Sequence, residues 1–214
     1  MDEPQPPQLD YSRIPDSIRE IYETIENELT WLHGRWIMYR QLFGGDSETL
    51  ALLNQSAPTF FGMLQFLWLD YVVLEICSLT DRPSTFGREN LVLKQLYEKL
   101  DRRKHPDLGR ELIERDREVE KTCGRLRTIR NRRIAHRDQH AALGAYQTPV
   151  LGVSRKDVDD ALEAMRAYVN TFRLAFMDSE MAFDQFELKD DAMTLVEKLQ
   201  FALENMPVTP RDTK

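Results

Sequence analysis

The sequence predicts an all-α protein, an antiparallel helical bundle of about six helices. Three observations carry this. Apolar residues recur at helical spacing through several long stretches. Clusters of Gly, Pro, Ser, Asn and Asp separate those stretches at intervals that suit loops. No convincing strand, internal repeat or low-complexity block interrupts the pattern.

The elements follow in order. Residues 1–14 are polar and proline-rich without periodicity, which predicts a disordered lead. A single domain is expected over residues 15–204, with a flexible tail over 205–214 that carries Pro207 and Pro210. Ser17 and Glu20 have capping-box spacing, with Ser17 as the expected N-cap. Ile18, Ile25, Leu32 and Tyr39 recur every seven residues, and Tyr22, Leu29, Trp36 and Phe43 run beside them. That is one face of a long amphipathic helix, ended by Gly44-Gly45. His33 sits near the edge of this face and reads as structural or solvated.

Ser47 can cap a second helix reaching about Gln55, and Pro58 suits a first helical position, so a break falls near Ser56. Residues 59–79 are apolar nearly all round, from Phe60 and Phe61 through Leu67 and Val72 to Leu79. This predicts a central helix buried on several sides. Asp70 in its middle then needs a partner, because an unpaired buried carboxylate is costly. It either caps or bridges within the bundle, or it orients a functional side chain such as Arg130 or His136.

Residues 80–87 read as a loop by their turn residues. Asn90 can cap a short helix bearing Leu93, Leu96, Tyr97 and Leu100, and His105, before a proline in a polar turn, is expected in solvent. Asp107 opens a longer helix carrying Leu108, Leu112, Val119, Cys123 and Leu126. Residues 139–153 contain Gly144, Pro149 and Gly152, a loop long enough to move over a site. Ser154 and Asp157 form another capping-box pattern ahead of Val158, Leu162, Met165, Tyr168, Val169 and Phe172. A polar break near residues 178–189 precedes a last helix over about 192–203.

The 214 residues, 42% apolar, are ample for one domain with a core. Cys77 and Cys123 both fall on apolar helical faces and read as small buried hydrophobes, not as a disulfide framework. The start, Met1-Asp-Glu-Pro-Gln-Pro-Pro, is the reverse of a positively charged export signal. Gln65, Asp70 and Glu75 interrupt the most apolar run, where a membrane span rarely carries two acids. A cytoplasmic protein with no membrane partner is expected. There is no Gly-rich phosphate loop, no Gly-x-Ser-x-Gly and no Cys-x-x-Cys.

One stretch departs from the bundle pattern. Residues 121–140 hold seven Lys/Arg against one acid, a local balance of +6 in a chain of net −7. A basic patch on an acidic protein points to an anionic ligand, phosphate first. At about 100° per residue, Cys123, Leu126, Arg130 and Ile134 share a stripe, with Ile129, Arg133 and His136 continuing it to one side. A helix that only packs would put such charges on its opposite face.

Here Arg130-Asn131-Arg132-Arg133-Ile134-Ala135-His136 resembles the Arg-x(4–6)-His motif of the HEPN superfamily, in its Arg-Asn-x-x-x-Ala-His form. Trp36-Ile-Met-Tyr-Arg-Gln-Leu-Phe43 and Leu79-Thr-Asp-Arg-Pro83 also resemble HEPN-like abortive-infection proteins of the U type. The resemblance covers roughly residues 18–180. It implies a HEPN-type bundle that dimerises around the motif helix, and a metal-independent ribonuclease of phage defence or toxin–antitoxin systems. It implies transfer or messenger RNA as substrate and an antitoxin or defence-system partner protein. Some such domains only bind RNA or proteins, which is the alternative.

The residue chemistry fits that implication. Arg130 and His136 are the expected catalytic pair, with Asn131 positioning the sugar or His136. Arg127, Arg132, Arg133 and Arg137 are expected RNA contacts, although Arg132 and Arg137 fit a solvated surface equally well. Asp70 and Asp138 are the expected supporting acids. His136 and His140 have the i, i+4 spacing of a metal pair, but no glutamate completes a His-Glu-x-x-His pattern and the arginines would repel a cation. No metal or cofactor is expected. One histidine is thin for both acid and base, so a two-fold homodimer that brings a second Arg130–His136 set across the cleft is expected.

Overall fold

The structure, a computed structural model, describes residues 10–134, 152–185 and 188–205, with residues 133 and 134 as backbone only. Among these residues there are seven α-helices, not about six: α1 (Asp16–Phe43), α2 (Ser47–Ser56), α3 (Pro58–Leu79), α4 (Lys94–Glu98), α5 (Pro106–Ile129), α6 (Arg155–Met177) and α7 (Ala192–Asn205). The fold is an all-α bundle. The short α4, only five residues, falls where the sequence places a short helix.

The two heptad-spaced series of α1 form its buried face. Ile18, Tyr22, Ile25, Leu29, Leu32, Trp36, Tyr39, Leu42 and Phe43 are all inside. α6 buries Val158, Leu162, Met165, Tyr168, Val169 and Phe172 and packs most extensively on α5. Each such side chain contributes about 1.5–3 kcal/mol by leaving water. A polar knot crosses this core. Glu26 on α1 accepts from Tyr22 Oη at 2.6 Å and Tyr11 Oη at 2.5 Å and is paired with Arg173 on α6, with both ionic side chains buried. Ile14, ahead of α1, also lies in the core.

Several helix boundaries follow from local chemistry. Pro58 opens α3, where its missing N–H costs nothing. Ser154 caps α6 through the expected capping box: its Oγ accepts from Asp157 N at 3.1 Å, and Asp157 Oδ2 accepts from Ser154 N at 2.8 Å. Two caps differ from expectation. α1 follows Pro15 and has no side-chain cap, so Ser17 lies inside its first turn. α2 is capped by Asp46, whose carboxylate accepts from the N–H groups of Glu48 and Thr49 one residue earlier than a Ser47 cap would allow.

Three larger corrections concern the middle of the chain. α3 is not buried on several sides. Phe61, Val72, Val73, Ile76, Cys77 and Leu79 face the core, but Phe60, Met63, Phe66 and Leu67 are 61–68% exposed, with Tyr71 and Leu74 continuing that face. By length and composition alone α3 could cross a membrane. Its tie to α1 is a two-pronged ion pair, Arg35 Nη1 to both Glu75 oxygens at 2.9 and 3.1 Å. Second, the expected loop after α3 contains a small antiparallel hairpin, β1 (Ser84–Thr85) with β2 (Arg88–Glu89). Asn90 does not cap a helix but closes this hairpin, donating to Arg82 O and Thr85 Oγ1, each at 2.8 Å. Third, His105 is half-buried with its ring edge-on to Phe176.

Candidate nucleic-acid site

α5 delivers Arg130 to one end of the bundle. Cys123, Leu126 and Ile129 are buried, which fixes the rotation of the helix as it arrives. At Arg130 the hydrogen bonding changes, and Arg130–Ile134 form a π-helical segment. Such segments are rare and recur at functional sites. The wider turn also means that regular α-helical angles do not apply across Arg130–Ile134.

The Arg130 guanidinium is held from two sides. Its Nη1 donates to Asp81 Oδ2 at 2.6 Å, and its Nε donates to Asn131 Oδ1 at 3.1 Å. The Arg130 side chain is 19% exposed and the Asp81 side chain 41%. One turn earlier, Arg127 Nη2 donates to the Thr80 carbonyl at 2.8 Å, and Nη1 and Nη2 both meet the Glu120 carboxylate. Two arginines of the motif helix therefore grip the Thr80-Asp81 corner where α3 ends. The Arg127 Nε is buried without a hydrogen-bond partner.

Arg130 and Asp81 line a shallow cleft of about 330 Å³ with Leu74, Glu75 and Ser78. The cleft shares Glu75, Ser78 and Asp81 with a groove of about 530 Å³ that runs on to Thr85, Glu89 and Asn90. Glu28, Glu75, Asp81 and Glu89 make this groove acidic. A cationic fork thus stands at the mouth of a carboxylate-lined channel.

The expected site residues fall into three groups. Arg130 and Asn131 are brought together, with Asn131 exposed beside the guanidinium. Arg132 is exposed, whereas Arg127 is turned inward and committed to Thr80 and Glu120. His136, Arg137, Asp138 and His140 lie outside the described residues, as does the Arg133 side chain. Asp70 is half-buried about two and a half turns before the end of α3. The acid on Arg130 is Asp81, which sequence reasoning missed. Its one available signal was that Leu79-Thr-Asp-Arg-Pro83 shared in the family resemblance.

Cys77 lies near Arg130, but burial pushes its thiol up to about 11, and burial raises Cys123 as well. Neither is a thiolate nucleophile at neutral pH. Among the described residues no group of three or more His, Cys, Asp and Glu could hold a metal ion.

The sequence matches the profile of AbiU2, a HEPN family, over residues 15–195. The chain belongs to the HEPN family AbiU2. The match runs from the residue before α1 into α7 and includes the Asp81 corner and the Arg130–Asn131 pair. Neither a curated protein nor a solved structure matches the chain. Membership in AbiU2 is compatible with metal-independent ribonuclease activity.

Proposed function

We propose that this AbiU2 protein is a metal-independent endoribonuclease that acts in phage defence or as the toxin of a toxin–antitoxin pair. The observation that carries this reading is Arg130: an arginine of the family motif, held in a fixed direction at the mouth of a cleft. RNA supplies its own nucleophile, the 2′-hydroxyl. Histidine is the side chain whose unperturbed pKa, ~6.5, lies nearest neutrality, which makes His136 the proton carrier in this reading. A base takes the 2′-hydroxyl proton, the 2′-oxygen attacks phosphorus, and the bond to the 5′-oxygen breaks. That oxygen takes a proton and leaves as a 5′-hydroxyl, with a 2′,3′-cyclic phosphate on the other fragment. Arg130 offers a planar fork to the phosphoryl oxygens and stays charged, so it stabilises the pentacoordinate transition state. Asn131 orients the sugar or the imidazole. Arg132, Arg133 and Arg137 supply phosphate contacts to a transfer or messenger RNA.

The active unit in this reading is a homodimer, so that a second His136 serves as the other proton carrier. The uncovered face of α3 supports it. The exposed parts of Phe60, Met63, Phe66, Leu67, Tyr71 and Leu74 amount to roughly 600 Å². That is at the top of what a monomer usually leaves bare, and near the ~800 Å² each partner gives to a standard interface. Leu74 belongs both to this face and to the Arg130 cleft, so a second copy seated on α3 would stand beside the site.

Expression in a bacterial host tests the reading. The wild-type chain should arrest growth unless an inhibitor protein accompanies it, and His136→Ala and Arg130→Ala should restore growth. Equal tolerance of all three forms would favour the alternative, a helical module that binds RNA or a protein without cutting.

A further inference from the structure

We propose that the Ser84–Glu89 hairpin is a stacking platform for a nucleobase of single-stranded RNA, with Phe86 as its plane. The proposal rests on the ribonuclease reading and adds a substrate-binding element to it. Pairing of Ser84 with Glu89 and Thr85 with Arg88 leaves a two-residue turn, Phe86-Gly87. Both turn residues have positive φ, 50° at Phe86 and 78° at Gly87. Tight hairpin turns of this kind favour Asn, Asp or Gly at the first position. A bulky aromatic at positive φ is an outlier, and such strain concentrates at ligand sites.

Packing does not explain Phe86. Its side chain is fully exposed, at 102%. The hairpin beneath it is firm: Asn90 ties Arg82 to Thr85, and Lys99 pairs with Glu89 at 3.2 Å. The fold thus holds an aromatic plane out in water on a pinned support. Arg82 and Arg88 are exposed on either side of it in sequence, and among the described residues neither has a carboxylate partner. An aromatic plane between free cations is how single strands are held without base pairing, with stacking on the ring and phosphates on the cations.

The position also fits. The hairpin starts three residues after Asp81, and the groove leads from Thr85 past Asp81 toward Arg130. Glu89, at the hairpin end of its wall and away from the Arg130 cleft, repels phosphate, so there the backbone is steered along Arg82 and Arg88. The base, not the phosphate, faces the groove.

The test uses the full chain carrying His136→Ala, so that RNA is bound and not cut, with a fluorescent oligoadenylate of about a dozen nucleotides as probe. Phe86→Asn fits the turn better than phenylalanine, so the fold is retained while the plane is lost. It should weaken binding about five- to a hundredfold, whereas Phe86→Trp should keep the affinity and show fluorescence quenching on adding RNA. Unchanged affinity in Phe86→Asn overturns the proposal, as does a loss traced by sedimentation to a broken dimer. If Phe86→Asn leaves both binding and cleavage unchanged in the otherwise wild-type chain, the platform alone fails. If binding depends on Phe86 and no RNA is cut, the platform stands and the ribonuclease reading fails.

Discussion

Asp81 fixes where Arg130 points, and its energetic role follows from its exposure. A pair this open to solvent contributes at most about 1 kcal/mol to stability. Its effect on catalysis is larger, because a misplaced guanidinium can cost about a hundredfold in rate. Asp81→Ala should therefore lower kcat for RNA cleavage about ten- to a hundredfold with little change in KM or Tm. A fall in Tm without a fall in kcat would make Asp81 merely structural. His33 offers a second prediction at this scale. Burial pushes its imidazole down to about 4, with Arg166 adding to the effect, and its ring stacks on Phe183. The unfolded chain then binds the proton first, so stability is complete above about pH 6.5 and falls toward pH 4. Urea unfolding should show about 2 kcal/mol lost by about pH 5 in the wild type, and a smaller loss in His33→Gln. Equal losses in both would remove His33 from the account. At this scale the sequence named Arg130 through its motif. Asp81 was not named, since its partner lies 49 residues away and only folding brings the two together.

Elements were legible wherever a periodic pattern met a strong local signal. Gly44-Gly45, Pro58 and the Ser154–Asp157 box each placed a boundary, because each acts through a backbone preference of its own neighbourhood. The π segment at Arg130 gave no such signal. It shifts the register of hydrogen bonds without changing which residue types are favoured. The hairpin was hidden because its strands are two residues each and its turn uses Phe where Asn or Gly is expected. α3 misled for a different reason. All-round apolarity says that a helix is covered, and it does not say whether its own chain covers it. That difference can be measured. Leu67, 64% exposed in the single chain, should tolerate Leu67→Glu within about 0.5 kcal/mol if α3 faces water. If a second copy covers it, the same change should convert a dimer to a monomer in sedimentation. A wild-type chain that is monomeric at working concentration would contradict the dimer.

At the scale of the molecule, the bundle turns a long-range problem into a local one. α1, α5 and α6 enclose the core and the buried Glu26–Arg173 knot, and this scaffold leaves the α3 and α5 ends to form the cleft. Charge is divided along the sequence as well, with one basic segment, residues 121–140, in an otherwise acidic chain. Family, fold class and the position of the motif helix could all be read from the sequence, because they depend on patterns along the chain. The direction of Arg130, the acidic groove and the bare face of α3 could not, because they arise between elements. The most direct test of the central claim is cleavage of total and transfer RNA by purified wild-type and His136→Ala protein, with chelator present and the product ends identified. Fragments with 2′,3′-cyclic phosphate and 5′-hydroxyl ends from the wild type, absent with His136→Ala, are the predicted result. Fragments ending in a 3′-hydroxyl, or cutting that the chelator abolishes, would contradict it.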